Sequence, residues 1–213
     1  MKSTAAPTAS RRDCLRAMLV AGGVSLWPPV PAALAAPVRS AEGFHGIPLA
    51  GESQRIGFSL RDLDGRLRRA DSFPGSVLVL FFGFLSCPSI CPSTLAELSA
   101  ARQALGAQGR SVRVAFATLD PERDSAAAMR AWLRHFGDDL IGLRDSPKSL
   151  ERATQALRLE WQRVPGSTPD RYTIDHGVQS YCFDIQGRLR LLMRPGPTPK
   201  EVASDWRRLL DGA

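Results

Sequence analysis

Two cysteines and one distant histidine are the residues of this 213-residue chain whose types and spacing best support chemistry. Three residues separate Cys87 from Cys91, and His176 lies far downstream. Soft thiolates select Cu(I), and imidazole suits copper as well. Two cysteines and one neutral histidine therefore suggest a three-coordinate copper site. A structural zinc site usually has four protein ligands, so zinc fits this set less well.

The same cysteine pair is also compatible with a disulfide. The Cα atoms of residues i and i+4 in a helix are about 6 Å apart, which is inside the range that a disulfide allows. Disulfides persist in exported proteins, and a pair that cycles between thiols and disulfide has the same spacing. The spacing alone leaves copper ligation, a structural disulfide and redox cycling open.

The segments on either side of the cysteines predict how they are held. Residues 76–83 are almost continuously apolar and rich in Val and Phe, which predicts a strand buried on both faces. Residues 92–105 have the composition and apolar spacing of a helix. If that helix starts near Pro88, both sulfurs share one face of its first turn. The N-terminal dipole then lowers the pKa of the cysteine nearest the helix end.

Residues 1–35 have the features of an export signal: a basic start, a short apolar stretch over residues 17–27, and the small-residue site Ala-Leu-Ala at 33–35. The apolar stretch is too short to span a bilayer. Residues 10–16, Ser-Arg-Arg-Asp-Cys-Leu-Arg, resemble the twin-arginine motif. Cys14 belongs to this signal. We expect a periplasmic protein, and the sequence leaves open whether the signal is cleaved or retained as a membrane anchor.

Two regions follow the signal. Residues 36–53 are small and polar, with several Gly and Pro, which predicts a flexible tether. Residues 54–213 are long enough for one domain with a full core. The formal net charge of the whole chain is +7, but basic and acidic residues alternate along the domain. This distribution indicates a solvated surface and gives no sign of nucleic-acid binding.

The order of patterns along the domain predicts its architecture. The predicted elements are a β-hairpin over 56–68, the buried strand, the first helix, a strand over 112–118, a helix over 125–136, a short strand, a helix from 146 to about 160, a polar loop, a second hairpin over 178–193, and a helix from 198 to about 210. We therefore predict an α/β, thioredoxin-like central sheet flanked by helices, with an N-terminal hairpin and extra inserted elements.

The remaining histidines and the third mature cysteine have ordinary structural interpretations. His176 directly precedes a predicted strand, at the end of a loop, where a structural histidine is as reasonable as a ligand. His45 is expected to be solvated in the tether, and His135 to be exposed on a helix. Cys182 lies inside a predicted strand and is expected to act as a small buried hydrophobe.

Several motifs in fixed order carry a family likeness. They are Phe82-Gly83-Phe84, Cys87-Pro88-Ser89-Ile90-Cys91-Pro92-Ser93-Thr94-Leu95, Asp120-Pro121-Glu122-Arg123-Asp124, Asp175-His176, and Asp184 with Gly187-Arg188. In this combination the chain resembles the Sco/SenC family of copper-binding, thioredoxin-like assembly factors for cytochrome c oxidase. The likeness covers residues 55–210. It implies copper bound by Cys87, Cys91 and His176, with Asp120 and Asp124 in a neighbouring loop.

The chain departs from this family around the first cysteine. The family typically has threonine and histidine before that cysteine and an acidic residue between the two, whereas this chain has Leu85, Ser86 and Ser89. The three implied ligands are intact. Groups around a metal tune its affinity and potential, so we expect copper affinity, redox potential and partner choice to differ.

Two functions fit these residues. The first is a periplasmic copper metallochaperone that delivers copper, as Cu(I) or Cu(II), to the copper-bearing subunit of cytochrome c oxidase. The second is a thiol-disulfide oxidoreductase that uses Cys87 and Cys91 on the cysteines of an oxidase subunit or another exported protein. Both imply a periplasmic thiol reductant or copper donor as a further partner, and membrane proximity is compatible with both. Neither involves nucleic acid.

Overall fold

A mixed sheet organises the domain. The computed structural model describes residues 43–49, 56–168 and 171–212. Its strands are β1 (Ile47–Pro48), β2 (Leu60–Arg61), β3 (Leu67–Arg68), β4 (Val77–Gly83), β5 (Val112–Thr118), β6 (Ile141–Leu143), β7 (Trp161–Pro165), β8 (Tyr172–His176), β9 (Ser180–Phe183) and β10 (Leu189–Met193). Its α-helices are α1 (Ile90–Ala104), α2 (Ala126–Leu133), α3 (Pro147–Ala156) and α4 (Pro199–Leu210).

Within these described residues, six strands form the central sheet in the order β1-β10-β9-β4-β5-β6. Strands β4, β5 and β6 run parallel, whereas β9 is antiparallel to β4 and β10 to β9. Every residue of β4 is buried, as its continuous apolar sequence predicts for a strand covered on both faces. Helices α1 and α4 pack against each other, and α2 packs near β6. The predicted α/β architecture is confirmed.

Local capping residues set the helix boundaries that the sequence predicts. Helix α4 begins with the capping box of Thr198 and Glu201, in which each side chain accepts the other residue's backbone N–H. Ser146 caps α3, and proline occupies its first helical position. Helix α3 ends at Ala156, earlier than predicted, because Arg158 takes a left-handed conformation with φ of 52°.

The N-terminal hairpin, β2 and β3, is also found where predicted, although each strand has only two residues. Asp62 fixes its turn by accepting the backbone N–H groups of Asp64 and Arg66 and the Nε–H of Arg68. Burial raises the pKa of Asp62, but these hydrogen bonds and the Arg68 charge outweigh it, so the pKa lies below its ordinary value. The ionised carboxylate therefore stabilises the folded hairpin.

Two segments differ from prediction. Residues 161–165 are strand β7, which pairs antiparallel with β8, whereas the sequence predicts a polar loop there. Residues 47–48 form β1 and pair with β10, although the predicted tether spans residues 36–53. Residues 36–42 and 50–53 of the predicted tether, and the predicted export signal at residues 1–35, lie outside the described residues. No helix in the described parts of the chain has the length and apolarity needed to cross a membrane.

The segment at residues 43–49 is held to α4 by specific contacts. The Phe44 ring is buried, and the Arg208 guanidinium lies 4.1 Å from its centroid. The Asp205 carboxylate, which has no exposed surface, accepts the backbone N–H of His45 at 3.0 Å and that of Gly46 at 2.8 Å. His45 Nδ1 lies 3.0 Å from the same carboxylate. His45 is thus part of the folded domain, and the expectation that it is solvated is wrong.

Candidate metal centre

The sheet topology gathers the predicted ligands at one edge. Strands β4 and β5 are parallel neighbours, so the loops that follow them leave from the same edge of the sheet. Strand β9 is antiparallel to β4, with Ser180 opposite Phe81, so the segment that precedes β9 reaches this edge as well. The cysteine loop follows β4 and His176 precedes β9. Sheet pairing therefore brings together residues that are far apart in sequence.

The cysteine loop places the two sulfurs in unlike surroundings. Helix α1 begins at Ile90, not near Pro88, so Cys87 precedes the helix and Cys91 lies in its first turn. The Cys91 backbone N–H donates to Cys87 Sγ at 3.4 Å. Cys91 is fully buried, whereas Cys87 retains 9% of its surface. Both are free thiols, and Cys87 is the one that solvent or a partner reaches.

Burial dominates the electrostatics of Cys91. It raises the pKa of this thiol well above its ordinary value, and the nearby Cys87 and Asp124 act in the same direction. The expected lowering by the helix dipole is therefore wrong for Cys91. Gly83, at the end of β4, allows this burial: a Cβ atom there would lie 2.7 Å from Cys91 Sγ and 2.9 Å from a ring carbon of Phe116.

His176 presents one ring nitrogen to the cysteines. It is the last residue of β8 and pairs with Trp161, so it is held by a strand rather than by the predicted loop end. Its Nδ1 lies 2.8 Å from the Gly177 carbonyl oxygen. A carbonyl only accepts, so Nδ1 carries the proton and the lone pair is on Nε2, which lies 3.9 Å from Cys91 Sγ.

Aromatic rings and burial keep this imidazole in a form that can ligate. The ring centroids of Phe81 and Phe84 lie 6.2 and 6.1 Å from that of His176. Burial lowers the pKa of His176, so the neutral form predominates near pH 7. A neutral imidazole whose outer nitrogen donates to a carbonyl is the usual state of a metal-binding histidine. This wall of phenylalanines was not predicted, although Phe84 follows the buried strand directly.

The donor set suits a soft, low-coordinate ion. Two sulfurs and one neutral imidazole nitrogen match the preference of Cu(I). In residues 43–49, 56–168 and 171–212, no three His, Cys, Asp or Glu side chains are already arranged to hold a metal ion together. Cys91 Sγ and His176 Nε2 are in direct contact, whereas Cys87 Sγ accepts a hydrogen bond from the Cys91 backbone N–H.

The loop after β5 lies beside this centre. Asp120 and Asp124 are both buried. Asp124 accepts the backbone N–H of Leu85 at 3.1 Å, directly before the cysteine loop. Burial raises the pKa of Asp124 despite hydrogen bonds from Thr118 and Leu85. The neighbouring loop that the family likeness implies is therefore found in contact with the cysteine segment.

The other residues considered from sequence lie elsewhere. His135 is exposed after α2, where its Nδ1 lies 2.9 Å from the Trp132 carbonyl oxygen. Cys182 is fully buried in β9, and burial raises its pKa to about 12. The prediction of a small buried hydrophobe is confirmed for Cys182. Of the three residues around the first cysteine that differ from the family, Leu85 is half-buried, and Ser86 and Ser89 are exposed.

A groove opens beside His176 that sequence patterns did not indicate. It has a volume of about 530 Å³ and lies between the β7–β8 hairpin and the segment before β9. Its lining includes Arg158, Glu160, Trp161, Asp175, His176 and Gln179. A partner that approaches His176 meets both charges and an indole ring there.

Comparison with known proteins agrees with this geometry. The sequence model described as SCO1/SenC matches residues 49–211. The chain belongs to the SCO1/SenC family. The SCO2-like protein RC0895 of Rickettsia conorii is 30% identical over 164 residues, which cover 73% of this chain and 80% of that protein. The predicted family resemblance is confirmed.

Solved structures show the same fold. The copper-bound ScoI of Bradyrhizobium japonicum is 33% identical, with a TM-score of 0.66, and the alignment covers 72% of this chain and 97% of that one. Copper-bound yeast Sco1 is 25% identical, with a TM-score of 0.67 and coverage of 74% and 88%. The thioredoxin-like fold is thereby confirmed, and these SCO1/SenC relatives are copper-bound proteins.

Proposed function

We propose that this SCO1/SenC chain is a periplasmic copper metallochaperone that holds copper through Cys87, Cys91 and His176. The contact of 3.9 Å between Cys91 Sγ and the unprotonated Nε2 of His176 carries the proposal, because it pairs a soft donor with an imidazole lone pair. The copper-bound state of the Bradyrhizobium and yeast relatives supports it.

The unequal exposure of the two sulfurs supports copper transfer by ligand exchange. Cys87 reaches solvent, whereas Cys91 and His176 are held by the helix and by β8. A thiolate of an incoming site replaces Cys87 first, and Cys91 and His176 release the ion afterwards. We propose the copper-bearing subunit of cytochrome c oxidase as the acceptor, in line with the assembly role of the family.

Copper titration of the reduced protein tests the ligand set. We expect about one copper per chain, and His176→Ala should weaken affinity about 100-fold, equivalent to about 2.8 kcal/mol. His135→Ala is the matched control, since His135 is exposed and its ring pairs with the Trp132 carbonyl oxygen, whereas that of His176 pairs with Cys91. Competition with a Cu(I) chelator measures all three affinities. Equal affinity of the wild type and His176→Ala would exclude the three-ligand site.

A thiol-disulfide oxidoreductase is the second candidate, favoured by Cys87, which keeps 9% of its surface, beside the fully buried Cys91. The Cys87 thiolate would attack a client disulfide and release one client thiolate. Cys91 would then attack the mixed disulfide, release the second client thiol and leave a Cys87–Cys91 disulfide for a periplasmic thiol reductant. Gly177, and not a proline, precedes Val178, at the position where thioredoxins have the proline that pairs with substrates. An insulin-reduction assay without copper tests this activity. Rapid turnover would support the oxidoreductase, whereas no turnover would favour the metallochaperone.

The proposed location depends on the first 35 residues. We propose export by the twin-arginine route, which carries folded proteins and would deliver the domain with unpaired thiols. Replacing Arg11 and Arg12 by lysine should then stop export, as measured by fractionation of cells that express the tagged chain. Continued export of the double variant would indicate the general secretory route instead.

A further inference from the structure

One loop contacts both halves of the candidate metal centre. It comprises residues 120–124, follows β5, and is called the bridging loop below. Towards the cysteines, the Asp124 carboxylate accepts the backbone N–H of Leu85 at 3.1 Å, two residues before Cys87. The strand ends are tied together as well, since the Leu119 N–H donates to the Gly83 carbonyl at 2.7 Å. The bridging loop therefore fixes where the cysteine segment leaves the sheet.

Towards the histidine, the bridging loop contacts Tyr172, the first residue of β8. The Tyr172 hydroxyl donates to Asp120 Oδ1 at 2.7 Å, and this carboxylate has no exposed surface. The Arg123 guanidinium lies 3.6 Å from the centroid of the Tyr172 ring and donates to the Tyr172 carbonyl at 2.9 Å. Arg123 also bonds Asp120 through Nε. The bridging loop thus binds both the side chain and the backbone of Tyr172.

These contacts hold the strand that carries His176. Strand β8 belongs to a two-stranded sheet with β7, separate from the central sheet among the described residues. Most β7 side chains are exposed, and Ile174 is the one residue of β7 and β8 that is buried in the core, with Trp161 and Tyr172 partly buried against it, so core packing holds this hairpin at few points. Charge-assisted hydrogen bonds and cation–π contacts at a partly buried site have defined geometry. They supply an attachment in addition to this core packing.

The geometry points to Tyr172 as a positioning residue: through Asp120 and Arg123 it locks β8 to the bridging loop, and so holds His176 in reach of the cysteine segment. The role of this attachment in copper binding rests on the proposed function. The attachment itself is a property of the metal-free protein. Tyr172 does not touch the proposed ligands. It acts four residues away, through the strand.

Graded variants of Tyr172 test the attachment. Tyr172→Phe removes the hydrogen bond to Asp120 and keeps a ring for Arg123, whereas Tyr172→Leu removes both. The matched control is Tyr181→Phe, which deletes another tyrosine hydroxyl, bonded to Gln179 at 3.0 Å, without touching the bridging loop. Cu(I) competition, the Cu(II)–thiolate absorption band, and hydrogen exchange of the β8 amides in the metal-free protein are the measurements.

We expect Tyr172→Leu to weaken copper affinity about 10- to 100-fold, the usual range for residues that orient metal ligands, and to change the absorption band. Tyr172→Phe should fall between it and the wild type, and Tyr181→Phe should match the wild type. Wild-type affinity and absorption in Tyr172→Leu, or an equal loss in Tyr181→Phe, would overturn the inference.

The hydrogen-exchange arm separates this inference from the proposed function. If His176→Ala binds copper as tightly as the wild type, the copper function fails while the attachment remains testable in metal-free protein. Faster exchange of β8 amides in Tyr172→Leu, with unchanged exchange in β4 and β5, supports the attachment. Unchanged exchange in β8 refutes it.

Discussion

Asp205→Ala removes the acceptor that holds residues 43–49 against α4. The carboxylate has no exposed surface and accepts two backbone N–H groups, at 3.0 and 2.8 Å, besides its contact with His45 Nδ1 at 3.0 Å. A hydrogen bond to a charged group contributes about 1.5 to 3 kcal/mol, and a stranded buried donor costs about 1 to 3 kcal/mol. If the segment detaches, these donors reach water, and this limits the total cost of removing the carboxylate. We therefore expect a loss of about 3 to 5 kcal/mol in the free energy of unfolding.

Urea unfolding and hydrogen exchange measure this effect. The Leu49 amide, which donates to the Arg190 carbonyl at 2.9 Å, should lose protection in Asp205→Ala because β1 separates from β10. Asp211→Ala is the control: Asp211 is exposed just after the same helix, so the change should stay within about 0.5 kcal/mol. A loss below about 0.5 kcal/mol in Asp205→Ala, with Leu49 still protected, would refute the docking of this segment.

Three further predictions concern the centre and the hairpin beside it. Gly83→Ala forces a Cβ atom to within 2.7 Å of Cys91 Sγ, so we expect a loss of about 1 to 3 kcal/mol in urea unfolding and weaker copper binding; wild-type values for both would contradict the packing described. In the reduced, folded protein, iodoacetamide should modify Cys87 at least about tenfold faster than Cys182, as mass spectrometry can follow, and equal rates would contradict the exposure difference. Because the pKa of Asp62 is lowered by folding, Asp62→Asn should destabilise by about 1 kcal/mol at pH 7, and the gap from wild type should close as the pH falls below about 4; a gap that persists in acid would contradict this sign.

Strong local patterns account for the part of the fold that could be predicted. Strand β4 is continuously apolar, and α4 opens with a capping box, so each segment determines its own conformation. Strand β7 lacks such a pattern: its residues are mostly exposed, and Pro165 ends it. Strand β1 has two residues and depends on β10, which is far away in sequence. Pairing partners, rather than propensity, determine both missed strands.

The centre shows the same division. The cysteine spacing marks reactive sulfur, but nothing in the spacing of Cys91 and His176 indicates a contact of 3.9 Å. That contact depends on β9 being antiparallel to β4 and on the attachment of β8 by Tyr172. The raised pKa of Cys91 was also not predicted. The sequence indicates a helix start and its dipole, but it does not indicate that Gly83 leaves room for the Cys91 sulfur to be buried.

X-ray absorption at the copper edge tests the central claim most directly. The measurement compares copper-loaded, reduced wild type with His176→Ala. We predict two sulfur donors and one nitrogen donor in the wild type, and loss of the nitrogen donor in the variant with both sulfurs retained. Identical spectra for the two proteins, or a wild-type site with fewer than two sulfur donors, would contradict copper binding by Cys87, Cys91 and His176.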